Sequence, residues 1–135
     1  MRRVLPLLLA GLAIAAAPAA VAKPQSGEER LARTLEGRVA GEPTDCINLR
    51  DIRSSRIIED TAIVYEGPGN TLWVNRPRSG ANSLDSWDVL VTNTHSSRLC
   101  SIDVVRLYDT TARMQTGFVF LGDFVPYKKV RPAAR

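Results

Sequence analysis

The chain of 135 residues contains one histidine, two cysteines and only 6% aromatic residues. One histidine and two cysteines are too few ligands for a dedicated structural zinc site unless carboxylates help. The formal net charge of +4 is small, whereas a nucleic-acid-binding protein usually carries a larger, clustered positive excess. The composition therefore argues against a zinc-stabilised domain and against nucleic acid as a partner, and we expect no metal and no cofactor.

The only apolar run that approaches membrane-spanning length lies at the start of the chain. Two arginines precede an uncharged apolar stretch at 4–17, and small residues lead up to Ala22, before Lys23. This order predicts a secretory signal peptide at 1–22, cleaved between Ala22 and Lys23. The alternative, an uncleaved membrane anchor, is disfavoured because two prolines and a glycine interrupt the run. We expect a periplasmic protein without an integral membrane segment, or alternatively an extracellular one.

Removal of the leader leaves 113 residues with 16 basic and 14 acidic side chains. This length fits one compact domain, and two domains would be hard to build from it. Apolar content and charge are ordinary for a folded chain, so extensive disorder is not expected. The composition predicts a small soluble globular domain and indicates no particular activity.

Cys46 and Cys100 are the two cysteines of the chain. Exported compartments are oxidising, and an even cysteine count in such a protein favours a structural disulfide. The bond would close a ring of 55 residues, from 46 to 100, which corresponds to about 4 kcal/mol in the chain-entropy treatment. The alternative is a catalytic thiol, for which His95 is the sole histidine partner.

Local patterns predict one short helix and a series of strands. Ser26 and Glu29 have the spacing of a capping box, which predicts a helix over 27–36. We assign 23–44 to this helix and a linker. From residue 45 onward, short β-branched runs alternate with turn residues, and the predicted strands are 52–58, 61–65, 71–75, 89–94, 102–108, 118–121 and 124–127.

The strand pattern predicts a mainly β fold. Six to seven short strands would form a small antiparallel domain over 45–128, either barrel-like or a sandwich. The longest loop is expected at 76–88, and 109–117 has a turn-like composition. The end of the chain, 129–135, is predicted to be a disordered tail.

Two groups of polar residues raise the question of a catalytic or metal site. His95, Ser96 or Ser97, and Asp103 are the residue types of a hydrolase triad, but no G-x-S-x-G motif accompanies them. Asp85 and Asp88 offer oxygens to a cation but lack the spacing of a calcium loop. We assign no catalytic residue and no metal ligand, and we keep a small hydrolase using His95 as an alternative.

A candidate binding surface combines aromatic and basic residues around the long loop. Trp73 precedes it, Arg76 and Arg78 lie at its start, and Trp87 lies near its end. Arginine beside an aromatic ring is suited to carboxylates, phosphates or glycans. The alternative is a solvated basic face that is balanced by nearby acidic residues.

Four sequence stretches resemble a family of short exported proteins from Gram-negative, sphingomonad-like alphaproteobacteria. They are C-I-x-L-x-x-I-R-S-x-x-I-I-x-D-T-A-I at 46–63, V-N-R-P at 74–77, R-L-C at 98–100 and G-F-V-x-L-G-x-F-V-P at 117–126. The family is a domain of unknown function. The resemblance implies an exported protein with two cysteines, and it transfers no catalytic or binding residue.

We therefore expect a periplasmic, disulfide-stabilised β-domain that acts by binding and not by catalysis. Its partner would be an envelope protein, a glycan or an anionic ligand. Two alternatives stay open: the small hydrolase, and a structural protein that assembles with itself or with the cell wall.

Overall fold

The computed structural model of the protein describes residues 20–131. This part of the chain is mainly β, with one α-helix, α1 (Gly27–Thr34), and ten strands. The strands are β1 (Arg38–Ala40), β2 (Cys46–Asn48), β3 (Ser54–Ile58), β4 (Ala62–Glu66), β5 (Leu72–Asn75), β6 (Val89–Thr92), β7 (Arg98–Cys100), β8 (Val104–Asp109), β9 (Met114–Phe120) and β10 (Phe124–Lys129).

The strands form three antiparallel sheets. The largest has the order β1-β10-β5-β4-β3, a second contains β6-β8-β9, and the third is the pair β2-β7. The inner face of the five-stranded sheet packs against both smaller sheets, so the arrangement is sandwich-like. The main core draws on all three sheets and consists of Ile47, Ile57, Ile63, Tyr65, Leu84, Leu99, Val105, Leu107, Val119, Leu121 and Phe124.

Helix α1 covers the other face of the five-stranded sheet. Its predicted capping box is present: the Glu29 amide donates to the Ser26 hydroxyl at 3.2 Å, and the Ser26 amide donates to the Glu29 carboxylate at 2.9 Å. Leu31 is buried, and it packs with a second apolar cluster made by Ile58, Ala62, Val64 and Val74. The five-stranded sheet is therefore buried on both faces, which explains why β4 is apolar at consecutive positions.

The predicted fold class is confirmed as mainly β and sandwich-like, with some differences in its elements. The predicted hairpin 52–58/61–65 is the β3–β4 pair. The turn-like assignment of 109–117 is wrong for its second half, because β9 begins at Met114. Ile102 lies in the turn before β8 and not within the strand. Six to seven strands were expected, and the three-residue strands β1, β2 and β7 account for the difference.

The structure also refines the outer parts of the domain. β1 lies within 23–44, where a helix and a linker were expected, and it pairs with β10. β10 ends at Lys129, and the Val130 amide donates to the Gly37 carbonyl at 3.1 Å. The predicted tail beyond 131 and residues 1–19 of the predicted leader lie outside the described residues. Within 20–131, no helix has the length and apolar character needed to cross a membrane.

Candidate functional site

The three-stranded sheet presents an apolar surface to solvent. Eight of the eleven large apolar side chains that are exposed within residues 20–131 lie on this sheet or on loops leading into it. A contiguous exposed apolar patch on a small domain usually marks a contact surface. We call the outward positions of the sheet the outer face; they are Val89, Val91, Val104, Arg106, Tyr108, Phe118 and Phe120.

Strand register makes the outer face continuous. The residues between the outward positions point inward, and Val105, Leu107 and Val119 are fully buried. Pairing places Val91, Arg106 and Phe118 in one cross-strand row, with Val104 opposite Phe120 in the next. The rings of Phe118 and Phe120 meet edge to face, with centroids 5.7 Å apart. The aromatic and β-branched side chains therefore form a single surface.

Arg106 is the charged residue of the outer face. Its guanidinium forms no ion pair with any residue of the described chain. It lines a shallow groove of about 370 Å³ together with Val91, Tyr108 and Gln115. A planar guanidinium in this setting is available to a carboxylate of a binding partner.

A backbone bridge fixes the position of β9. The Phe120 amide donates to the Ser79 carbonyl at 3.0 Å, and the Arg78 amide donates to the Phe120 carbonyl at 2.9 Å. Gly80 follows with a φ of 84°, in the left-handed region. These contacts cover that edge of the three-stranded sheet, whereas β6, at the opposite edge, has β8 as its strand partner.

The outer face was not among the predicted sites, although the sequence contains a signal for it. A half-exposed antiparallel strand normally alternates apolar and polar residues. Val89 to Val91 and Phe118 to Phe120 are instead apolar at three consecutive positions. Consecutive apolar residues indicate that both faces of the sheet contact something, but they do not distinguish a second layer of the core from a partner.

The structure gives Arg76 a role within the fold. Its guanidinium donates to both carboxylate oxygens of Glu28 on α1, at 2.7 and 3.0 Å. This hydrogen-bonded pair holds the pKa of Glu28 below its ordinary value of 4.5 and raises the pKa of Arg76. The pair joins the helix to the end of β5.

Arg78 is bound to backbone carbonyls. Its Nε donates to the Leu121 carbonyl at 2.8 Å, and one terminal nitrogen donates to the Ser101 carbonyl at 2.9 Å. The residue therefore connects the loop after β5 to the segments before β8 and after β9. These contacts take up donors that a ligand would otherwise use.

The two tryptophans lie in different settings. Trp73 is half-buried, packs against the main core and lines a cleft beside β2 and β10. Trp87 is 84% exposed and lies in the loop that leads into β6. Trp73, Arg76, Arg78 and Trp87, the four residues of the predicted binding surface, do not line one common cavity among those of the described residues: Trp87 leads into β6, whereas Arg78 contacts the backbone of β9.

The residues of the hydrolase alternative take part in local turns. The Asp103 carboxylate accepts from the Cys100 amide at 2.7 Å, and the Ser96 hydroxyl accepts from the Arg98 amide at 3.2 Å. His95 is exposed. Within the described chain, no hydrogen bond joins His95 to Ser96, Ser97 or Asp103.

Cys46 and Cys100 form a disulfide bond, as predicted. They are directly opposite each other in the β2–β7 pair. The bond therefore closes the two-stranded sheet, which places Ile47 and Leu99 in the main core.

Residues 20–131 contain no group of three or more histidine, cysteine, aspartate or glutamate side chains arranged to hold a metal ion. Asp85 accepts from the Trp87 amide at 2.9 Å, and Asp88 accepts from the Thr116 hydroxyl. These two carboxylates therefore take part in local hydrogen bonds at the start of β6.

No protein-family model, curated protein or solved structure matches this chain.

Proposed function

We propose that the protein is an exported, periplasmic, non-catalytic binding module that holds a protein partner on its outer face. The observation that carries this proposal is the concentration of exposed large apolar side chains on the three-stranded sheet and its loops. Burying this surface against a partner would remove apolar area from water, which contributes about 25 cal/mol per Å².

The composition of the surface favours a protein partner over a glycan. Aromatic residues, methionine and arginine are enriched in protein–protein interfaces, and tryptophan, tyrosine and arginine dominate their energetic centres. The sheet and its loops offer this set: Trp87, Arg106, Tyr108, Met114, Phe118 and Phe120. The three valines and two phenylalanines of the outer face carry no group that could form a hydrogen bond with a sugar hydroxyl. A partner that covers Arg106 would need a carboxylate to pair with it, since an unpaired buried charge is costly.

Two observations support an exported location. The leader at 1–22 has the order of a secretory signal, and the Cys46–Cys100 bond suits an oxidising compartment. Cell fractionation and the intact mass of the exported protein test this part. A chain that begins at Lys23 is expected, and a chain that retains residues 1–22 would contradict the predicted cleavage.

Site-specific photocrosslinking in cells that export the protein tests the binding surface. A crosslinking residue at Phe118 should give an adduct of discrete mass with another protein. The matched control is Val39, which is also exposed, at 60%, but lies on β1. The adduct should be absent at Val39, and Arg106→Glu should weaken the adduct at position 118.

The alternatives give different outcomes in the same experiment. Adducts at position 118 that consist of this chain alone would indicate self-assembly, and co-sedimentation with purified peptidoglycan would indicate cell-wall binding. Equal labelling at positions 118 and 39 would contradict the proposal. The hydrolase alternative predicts turnover that His95→Ala abolishes, whereas the binding module keeps its adduct in that variant.

A further inference from the structure

A cleft separate from the outer face lies at one end of the sandwich. It lies between the two-stranded sheet and β10 of the five-stranded sheet, and its volume is about 390 Å³. This value is at the lower end of the range of about 300–1,000 Å³ that is usual for small-molecule sites. Its apolar lining includes Ile47, Ile52, Trp73 and Pro126. We call it the Trp73 cleft.

Strand register and a glycine hold the indole of Trp73 in place. Trp73 lies between Tyr65 on β4 and Pro126 on β10, on the inner face of the sheet. A Cβ at buried Gly67 would lie 3.0 Å from the indole Nε1, so a larger residue there would crowd the ring edge and push it by a few tenths of an ångström. The indole N–H makes no hydrogen bond within residues 20–131, and the ring is half-buried. The indole ring therefore forms one apolar wall of the cleft, and its N–H is a hydrogen-bond donor without a partner in residues 20–131.

Two side chains of opposite charge also line the Trp73 cleft. Asp51 ends a short 3₁₀ helix, and Lys128 lies on β10 on the same face as Pro126. Both residues are exposed, and neither forms an ion pair in the part of the chain that the structure describes. One cleft thus offers an apolar wall together with an anionic and a cationic group, neither of which has an ion-pair partner within residues 20–131.

We propose that the Trp73 cleft binds a zwitterion with an apolar side chain, either a free amino acid or a short peptide. The ligand's ammonium group would pair with Asp51 and its carboxylate with Lys128, while its side chain packs on Trp73, Ile52 and Pro126. Complementary charge of both signs is what distinguishes this ligand from a purely anionic or purely apolar one. The site shares no residue with the outer face, so a negative result for one of the two proposals leaves the other unaffected.

Intrinsic fluorescence tests the proposal directly. The chain has two tryptophans, so Trp87→Phe leaves Trp73 as the sole reporter. L-leucine and tri-leucine are titrated as the two forms of the ligand. A saturable change with either probe at concentrations up to about 1 mM is expected, and the tighter of the two identifies the source. No saturable change with either probe would overturn the proposal.

Analogues and variants test the two charged contacts. N-acetyl-L-leucine lacks the ammonium group and L-leucine amide lacks the carboxylate, and each should bind about tenfold more weakly than leucine, as expected for one lost charged hydrogen bond. Asp51→Asn and Lys128→Ala in the single-tryptophan chain should each cause a loss of similar size. Lys129→Ala is the matched control, because Lys129 is the next residue of β10 and points to the opposite face. If the analogues bind as tightly as leucine, or if Lys129→Ala weakens binding as much as Lys128→Ala, the assignment of the two charges is wrong.

Discussion

The side chain of Asn75 forms two hydrogen bonds with the backbone of Gly122. Its Nδ2 donates to the Gly122 carbonyl at 2.6 Å, and its Oδ1 accepts from the Gly122 amide at 3.0 Å. Both residues are buried. The Asn75 amide thus takes the place of a neighbouring strand at the bend between β9 and β10, where the backbone would otherwise lack partners.

Asn75→Ala should therefore destabilise the protein strongly. Two buried backbone groups would lose their partners, and each loss costs about 1–3 kcal/mol. We expect a loss of about 3 kcal/mol in the free energy of unfolding, measured by urea denaturation. Asn82→Ala is the control, because Asn82 is exposed, and it should change stability by less than about 0.5 kcal/mol. Similar costs for the two variants would contradict this role of Asn75.

The ion pair between Glu28 and Arg76 predicts a pH dependence of stability. The hydrogen bond from Arg76 lowers the pKa of Glu28 below 4.5, so the stabilisation is present above pH 4.5 and is lost as the pH falls through the lowered pKa. Both side chains are more than half exposed, which limits the contribution to about 1 kcal/mol or less. Glu28→Gln should remove this stabilisation at pH 7 and leave the free energy of unfolding at pH 2 unchanged, as measured by urea denaturation.

The control for this measurement is Glu36→Gln. Glu36 is exposed and forms no ion pair within residues 20–131. An equal loss of stability at pH 7 in the two variants would mean that the contact with Arg76 contributes nothing specific.

Gly80 and Gly69 offer a matched test of crowding. Both have positive φ, 84° and 64°. A Cβ at Gly80 would lie 2.5 Å from the Phe118 carbonyl oxygen, whereas a Cβ at Gly69 would meet no atom within 4 Å. Gly69→Ala should cost about 1 kcal/mol for the left-handed backbone alone. Gly80→Ala should cost at least about 2 kcal/mol in chemical denaturation, and equal costs would show that the segment can shift away from β9.

Tyr65 carries a buried hydroxyl without a hydrogen-bond partner in the described chain. Tyr65→Phe should therefore be neutral or stabilise the protein by up to about 1 kcal/mol, since it removes an unsatisfied polar group. Burial also raises the pKa of Tyr65 above its ordinary value of 10. Below pH 10 the hydroxyl is neutral in both the folded and the unfolded chain, and above pH 10 the unfolded chain ionises more readily, so stability declines as the pH rises further.

Alkaline unfolding of Tyr65→Phe checks both statements. The variant should keep its stability above pH 10 better than the parent protein does. Tyr127→Phe, at a half-buried position, should behave like the parent. A loss of more than about 1 kcal/mol at pH 7 in Tyr65→Phe would indicate that the hydroxyl has a bonded partner.

The disulfide should contribute strongly to stability. Cys46 and Cys100 are 54 positions apart in the sequence. Closing such a loop lowers the entropy of the unfolded chain, which raises the free energy of unfolding by about 4 kcal/mol at 25 °C. The double variant Cys46→Ala/Cys100→Ala should lose about this amount in guanidinium denaturation. A loss below about 1 kcal/mol would mean that the β2–β7 pair forms without its covalent link. Thiol labelling of the denatured, unreduced parent protein should find no free cysteine.

Sequence patterns predicted the elements with strong local signals. The capping box at Ser26 and the hairpin around Asp60 depend on residues close in sequence, and both are confirmed. β1, β2 and β7 escaped prediction because three residues are too few for a period-2 pattern, and their strand form depends on distant partners. Met114 to Gly117 has the composition of a turn and becomes a strand because it pairs with β8.

The outer face and the Trp73 cleft could not be predicted from the sequence, because segments that are distant along the chain form them. Arg76 looked available for a ligand until the fold placed Glu28 beside it, 48 positions away. Trp73 was predicted to lie on a binding surface with Arg76 and Arg78, but the cleft that it lines exists because β2 and β10 approach it from remote parts of the chain. The alternation of side chains along β8 indicates which residues share a face, but the packing of the three sheets determines which of the two faces is exposed.

The five-stranded sheet is buried on both faces and the three-stranded sheet on one face only, and this difference determines which positions tolerate substitution without unfolding the protein. In β4, Ala62 and Ile63 point to opposite faces and are both fully buried, so a substitution at either position disturbs one of the two apolar layers. In β8 and β9 each buried residue alternates with an outward one, such as Val105 with Arg106. Substitutions at the outward positions leave the core untouched. Residues that stabilise the fold therefore alternate with residues of the outer face along the same strands, so the outer face can change in sequence while the sandwich beneath it stays constant.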